Sequence, residues 1–489
     1  MPKKLEIKSL KFNALMNTLL TASNMIIGMV TLPYVTRVLS VQSYGDVSFA
    51  QSVSTWLSAL CLVGINVYGV RECAKVRNDP KRLSALVKEL LAIITVSTAV
   101  VLSVFAFCIQ IVPQFEAIAP LMWMFLFSTL LLSYGVEWFY QAVEQYAYIT
   151  KRSMFFKLLS LILTILLVRN PADYLIYGGI LAIVMCGNNL LNLFMLRRYV
   201  DFSIKTKLDL KRHIRPLCFF GLQSVSSAVY LSFDSTLLGF ITSNNYQVGL
   251  YQLATKLKGV LFQVLNAVLG VFIPRLSSYL GQGDKTSFYC LLKKGSGLTL
   301  NICISICFFL IAFGSSLVNF ISGPSFSEAV FPVRIMGLVN LCSCYSYFIG
   351  LCVLTPLGRE RQLAAANFAG VPVSIALNFL LDSKYGAIGA SLSILFAEIV
   401  ILVLQMFWSR DVLKKIAMIK DVARICLSNL IASFGAYSIV SMFIADESWS
   451  FSLIGLCIFV PLDLLLTFLL RDPTSRMLCN GLMLKLQRK

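Results

Sequence analysis

The chain has 489 residues, of which 58% are hydrophobic and only 13% charged. A soluble domain carries roughly 25% charged residues, whereas apolar runs of about 20 residues recur here from one end to the other, so the pattern excludes a soluble globular protein and implies a polytopic helical membrane protein. The net charge of +19 does not mark a nucleic-acid partner, because the basic residues are dispersed over alternate short loops.

In chain order the expected membrane spans are 12–36, 47–70, 85–112, 119–141, 154–168, 174–196 and 214–240. They continue at 248–273, 289–314, 329–354, 363–381, 386–408, 423–444 and 451–470, giving fourteen transmembrane helices in an all-α fold. The basic start "MPKKLEIK" leads into an apolar run too long for a signal-peptide core, so it is read as the approach to span 1. Span 5, "MFFKLLSLILTILLV", is the shortest and carries Lys157 near its start. Nearly all Lys and Arg residues fall in the N-terminus, every second loop and the C-terminus. The opposite loops hold Arg37, Arg169 and Lys384. That asymmetry predicts a multi-pass membrane protein with both termini in the cytoplasm.

Most of the 14 cysteines lie inside apolar stretches, where a thiol packs as a small hydrophobe. Cys342 and Cys344 lack metal-ligand spacing, and the lone histidine, His213, sits in a basic loop and reads as solvated. No metal site is expected. No "GxxxxGK[ST]" motif is present, so no nucleotide or other cofactor is expected in this chain.

An internal duplication is visible. Gly45 and Ala50 in "QSYGDVSFAQSV" have the spacing of Gly249 and Ala254 in "NYQVGLYQLATK", and Tyr177-Gly178 corresponds to Tyr385-Gly386. The natural division is an N-lobe of helices 1–6 (residues 1–200), a C-lobe of helices 7–12 (201–412), and helices 13–14 with a cytoplasmic tail (413–489). A parallel repeat of this kind places a substrate site between the lobes, which rock during transport.

An ionisable residue in mid-span costs roughly 2.5–3.5 kcal/mol on insertion scales, so each needs a reason. Asp234 in span 7 and Lys256 and Lys258 in span 8 lie at similar depth on consecutive helices. They form either a buried ion pair that fixes the helices, or an ion pair beside a second lysine that binds an anion. The two lysines stand about 200° apart around the helix and cannot share a face. Arg37, after Pro33, is an interfacial anchor or a substrate contact. Arg71 and Glu72 end span 2 as a salt bridge or inner gate, and Arg334 lies inside span 10 after Pro332. Glu137 in span 4 and Glu398 in span 12 are candidates for proton or cation coupling, or for capping a polar seam. Asn24, Asn66, Gln223, Asn266 and Asn378 can supply neutral hydrogen bonds within the bundle. The excess of deep cations points to an anionic substrate.

Several segments resemble the polysaccharide transporters of the multidrug/oligosaccharidyl-lipid/polysaccharide exporter superfamily, and among these the Wzx-type oligosaccharide flippases. They are "LPYVTRVLSVQSYGDVSFA" (32–50), "YGVRECAK" (68–75), "EWFYQAVEQYAYIT" (137–150), "DSTLLGFITSNNYQVGLYQLATKL" (234–257), "IPRLS" (273–277) and "ALNFLLDSKYGAIGASLSILFAE" (376–398). Leu381-Asp382-Ser383, expected in an outer loop, departs from the family's usual Ile-Pro. The resemblance implies a V-shaped, pseudo-two-fold pair of lobes with a cationic cavity. It also implies transport of undecaprenyl-diphosphate-linked oligosaccharide repeat units for O-antigen, capsule or another surface polysaccharide, with a polysaccharide polymerase as a further partner. Under it Arg37, Lys256, Lys258 and Arg334 would meet the headgroup, Asp234 would tune the lysines, and no enzyme activity is expected. The alternatives within the superfamily are a lipid II flippase and a cation-coupled multidrug exporter. The latter predicts a carboxylate in mid-span 1, which is absent.

Overall fold

The computed structural model describes residues 9–203, 209–416, 419–444 and 449–470. Two compact units divide the chain at 249/250. In the first, α1 (Leu10–Val38), α2 (Val41–Leu62), α3 (Ile65–Val76), α4 (Pro80–Ile111) and α5 (Pro113–Glu116) come in succession. They are followed by α6 (Ala119–Ser133), α7 (Glu137–Ala142), α8 (Tyr146–Leu167), α9 (Tyr174–Leu196) and α10 (Lys211–Thr242). Helix α11 (Asn245–Gly281) begins in the first unit. The second then holds α12 (Lys285–Ser322), α13 (Val330–Phe348), α14 (Glu360–Tyr385), α15 (Ala387–Trp408), α16 (Arg410–Ile416), α17 (Ile419–Ser441) and α18 (Trp449–Leu469).

Each of the fourteen expected spans falls on a helix. Among the described residues eleven helices are long and apolar enough to cross a membrane, and two bent pairs raise that to thirteen. The bent pairs are α2 with α3, and the two halves of α10, broken between Val229 and Ser232 by 57°. The remaining helix is α8, whose first half carries Lys151, Arg152 and Lys157. It starts at Tyr146, earlier than the span predicted at 154–168, because Arg152 is held inside the fold (below) while Lys151 is exposed, and neither ends the helix.

Local chemistry sets the ends of these helices. Ser40 caps α2 by accepting from the Ser43 amide at 3.1 Å. Asp79 caps α4 by accepting from the amides of Lys81 and Arg82, with Pro80 in the first turn where no amide is needed. Asp284 caps α12 through the Ser287 amide. The break between α2 and α3 places Val63 and Gly64 at positive φ. A side chain on Gly64 would begin 2.3 Å from the Phe220 carbonyl carbon, so only glycine lets α10 pass there.

In the first unit the buried core gathers Leu90, Trp138, Phe139 and Tyr140; in the second, Leu265, Phe288, Leu292 and Phe348. Large apolar side chains also face outward, including Phe107, Phe219 and Phe434. In water such a surface would aggregate, but against acyl chains it is matched.

The duplicated glycines meet. A Cβ on Gly45 would fall 1.8 Å from the Asn245 carbonyl oxygen and 3.0 Å from the Gly249 amide, and one on Gly249 would fall 2.3 Å from the Val41 carbonyl oxygen. The segments around Gly45 and Gly249, whose spacing matches in the sequence, therefore pack on each other. Gly45→Ala is expected to destabilise the protein by about 1–3 kcal/mol through overpacking. Gly28→Ala, with no atom within 4 Å of the added carbon, should leave thermal unfolding in detergent unchanged; equal midpoints for the two variants would refute the contact.

Candidate functional site

Helix α11 has one polar face in the second unit. Lys258, Phe262 and Asn266 recur every four residues, so a single stripe carries all three. Phe262 packs edge-on to Tyr347 at 5.1 Å, and the Tyr347 hydroxyl donates to Asn266 Oδ1 at 2.8 Å. Lys258 Nζ lies 3.7 Å from Glu398 Oε1 of α15. The same oxygen accepts from the Ser343 hydroxyl of α13 at 2.6 Å. The carboxylate is 4% exposed and the lysine 17%. Below this pair the seam continues through Ser346, which donates to Gln405, and Gln405, which donates to Asn367.

The geometry pairs two residues that the sequence had placed in separate roles: Lys258 as a headgroup contact and Glu398 as a coupling group. Lys256, on the other face of α11, is exposed, while Asp234 is buried on α10. Arg334 is half-buried, its guanidinium carbon 5.8 Å from the Phe331 ring centre and its Nε buried without a hydrogen-bond partner. Its stem runs beside Gly314, where an added Cβ would sit 3.4 Å from Cγ. Arg37 is exposed in the last turn of α1.

In the first unit Glu137 opens α7, just after Val136 takes positive φ. Its carboxylate receives Arg152 Nη2 at 2.9 Å, although Glu137 itself is 42% exposed and Arg152 only 2%. Arg152 Nη1 also donates to Asn192 Oδ1. Asn192 in turn donates to the Gly135 carbonyl freed by the break before α7, and accepts the Tyr140 hydroxyl at its own carbonyl. The break in the helix and the buried arginine thus satisfy each other through one asparagine. Arg71 pairs with Glu72 at 2.8 Å and lies over the rings of Tyr68 and Phe220, and Lys75 reaches Glu72 at the same distance.

Three features escaped the sequence reading. Arg152 counted as a loop charge because α8 was taken to begin after it. Asp463 of α18 accepts from Ser305 at 2.8 Å and Ser428 at 3.2 Å; a lone carboxylate in "VPLDLLL" was its signal. The third is a correction: His213 is buried, not solvated. Its Nε2 lies 2.9 Å from Glu89 Oε2 and its Nδ1 2.7 Å from the Tyr68 hydroxyl, while Arg212 also pairs with Glu89. Asp382 is a correction as well. It lies fully buried within α14, which runs on to Tyr385 and leaves no loop there. Among the described residues no cluster of His, Cys, Asp and Glu could hold a metal ion.

A multi-pass helical membrane protein with compensated charges inside its spans is the class these features define. The chain belongs to the polysaccharide biosynthesis protein family, whose match runs over residues 10–280, and the resemblance read from the sequence is borne out. It is similar to a provisionally named O-antigen transporter of Shigella dysenteriae, 25% identical over 81% of this chain and 99% of that protein. A like-named protein of Escherichia coli K12 is 23% identical over 82% and 97%. Among solved structures, the lipid II flippase MurJ in an inward closed conformation shares the fold at a TM-score of 0.69 and 14% identity, over 95% of this chain and all of that one. An inward-facing multidrug transporter of the MATE family does so at 0.58 and 11%, over 82% and 96%.

Lys258→Met would leave the Glu398 carboxylate buried without its counter-charge, a loss of about 3–5 kcal/mol for pairs of this kind. The double variant Lys258→Met/Glu398→Gln should recover most of it in thermal unfolding, and a single variant as stable as the double would show that the pair is not formed.

Proposed function

We propose that this protein is a flippase of the bacterial inner membrane. It carries an undecaprenyl-diphosphate-linked oligosaccharide from the cytoplasmic to the outer leaflet by alternating access, with two six-helix halves (1–200 and 201–412), an added helix pair (413–489) and both termini in the cytoplasm. Family membership and the designations of the two enterobacterial relatives support a lipid-linked oligosaccharide as cargo. The fold shared with a lipid II flippase supports translocation over catalysis.

The observation that carries the reading is the Lys258–Glu398 pair. At 3.7 Å it is a contact of charges and not a hydrogen bond, and its lysine retains some accessibility. A diphosphate offers Lys258 a denser negative charge than one carboxylate does, and charge-assisted bonds to phosphate oxygens are among the stronger ones. When the phosphate takes the lysine, the buried Glu398 loses this counter-charge, and release of the cargo restores the pair. Glu398 is proposed on this ground as the coupling group and Lys258 as the headgroup contact. Lys256, Arg334 and Arg37 are proposed as further cationic contacts, Asp234 as a group that tunes the lysines, Arg71–Glu72 as a gate, and Glu137 as a second coupling candidate.

In proteoliposomes loaded with a polyprenyl-diphosphate oligosaccharide, Lys258→Ala should lower flipping at least tenfold, while Lys258→Arg retains a measurable rate. Glu398→Gln should flatten the dependence on a proton gradient. Normal transport in the Lys256→Ala/Lys258→Ala double variant would remove both lysines from the mechanism. Rescue of a wall-depleted strain, and not of a strain lacking its O-antigen or capsule flippase, would instead assign lipid II as the cargo.

A further inference from the structure

A groove of about 840 Å³ opens in the first unit between α4, the end of α6, the end of α9 and the turn that follows α9. Its size lies within the roughly 300–1,000 Å³ of small-molecule sites. Leu91 of α4 and Leu193 of α9 form apolar walls, and Arg197 and Asp201 stand at its polar end. The polar end is fixed in place. The Asp201 amide donates to Ser84 Oγ at 3.0 Å and the Lys88 ammonium to the Phe202 carbonyl at 2.7 Å, tying the turn to α4. The Tyr134 hydroxyl donates to Thr95 Oγ1 at 3.1 Å at the opposite end.

Two properties identify the occupant. Beside the groove Val96 and Phe194 are each 63% exposed, so its mouth faces acyl chains. The lining residues of α4, Leu91 and Thr95, span about 6 Å along the helix axis, enough to hold the upper part of one acyl chain. The groove's polar end offers both signs of charge. Among the described residues Arg197 has no hydrogen-bond or ion-pair partner. Asp201 accepts from the amide and hydroxyl of Ser203, which hold its carboxyl below the usual carboxylate range, so it is anionic at neutral pH.

We infer that this groove binds one phosphatidylethanolamine molecule of the surrounding leaflet, with its phosphate on Arg197, its ammonium on Asp201 and one acyl chain between Leu91 and Leu193. An anionic headgroup, whether phosphatidylglycerol or a polyprenyl diphosphate, can offer Asp201 only neutral hydroxyls and no positive charge, so the carboxylate stays uncompensated. A choline headgroup carries the positive charge but has no N–H to donate. The primary ammonium satisfies both ends. The site is independent of which cargo the protein moves.

The test uses the full chain purified from membranes and exposed to equimolar phosphatidylethanolamine, phosphatidylglycerol and phosphatidylcholine, with retained lipid read by native mass spectrometry and thermal shift. The wild type should retain phosphatidylethanolamine about tenfold over either competitor and be stabilised by it alone. Arg197→Ala should lose the retained lipid, and Leu193→Trp, which fills the wall while leaving the charges, should lose it as well. Asp201→Asn should keep phospholipid but no longer distinguish ethanolamine from glycerol headgroups. Undiminished retention in both Arg197→Ala and Leu193→Trp would overturn the site, as would a wild type that prefers phosphatidylglycerol or does not discriminate.

Discussion

A charge carried into a bilayer must bring its compensation with it, and much of this fold is arranged around that demand. The Lys258 ammonium has the Glu398 carboxylate. Arg152 has Glu137 and Asn192. Glu89 gathers His213, Arg212 and the Asp209 amide. Asp463 accepts from the hydroxyls of Ser305 and Ser428. The compensated groups tie helices together: α11 to α15, α7 to α8 and α9, α4 to α10, and α18 to α12 and α17. Apolar packing drives helix association weakly where lipid tails are as apolar as leucine, so these polar ties supply the specificity.

The same demand explains where the backbone is irregular. A helix broken within a membrane frees carbonyls and amides that lipid cannot satisfy. The break before α7 answers this internally, with Asn192 taking the Gly135 carbonyl. In the second unit α13 ends in a π-helical stretch, Ile349–Leu354, whose residues are nearly all fully buried, and the Thr355 hydroxyl and amide both return to the Gly350 carbonyl. Spans 4 and 10 both depart from regular helix near their C-terminal ends.

The helices were legible in the sequence because hydropathy is a local property, and each expected span found a helix. The pairing of charges was not, because it depends on contacts between residues far apart in the chain. Lys258 stood out with Lys256 as a cation inside an apolar run, but nothing nearby names Glu398 as its partner. Arg152 was hidden for the opposite reason. It lies beside Tyr148 and Lys151, just ahead of the span expected at 154–168, and only the fold carries the helix back through them. His213 was misread on the same ground, as a neighbour of Arg212 and Arg215. Composition around a residue reports its average surroundings, whereas burial is decided by the helix laid over it. The duplicated glycines fall between these cases, since their spacing was visible and their mutual contact was not.

Among the compensated groups, geometry separates those that hold the fold from those free to exchange partners. Arg152 is almost wholly enclosed and spends its guanidinium on a carboxylate and a carboxamide within hydrogen-bond reach, over the Tyr148 ring. Pulling it away would strand a charge and reopen the helix break, so it is a structural group. Lys258 is held at 3.7 Å, keeps part of its surface accessible, and faces a carboxylate already engaged by Ser343. A transport cycle needs a charge that is compensated while the protein waits and available when the anion arrives. Of the buried cations, Lys258 meets both conditions and Arg152 meets only the first.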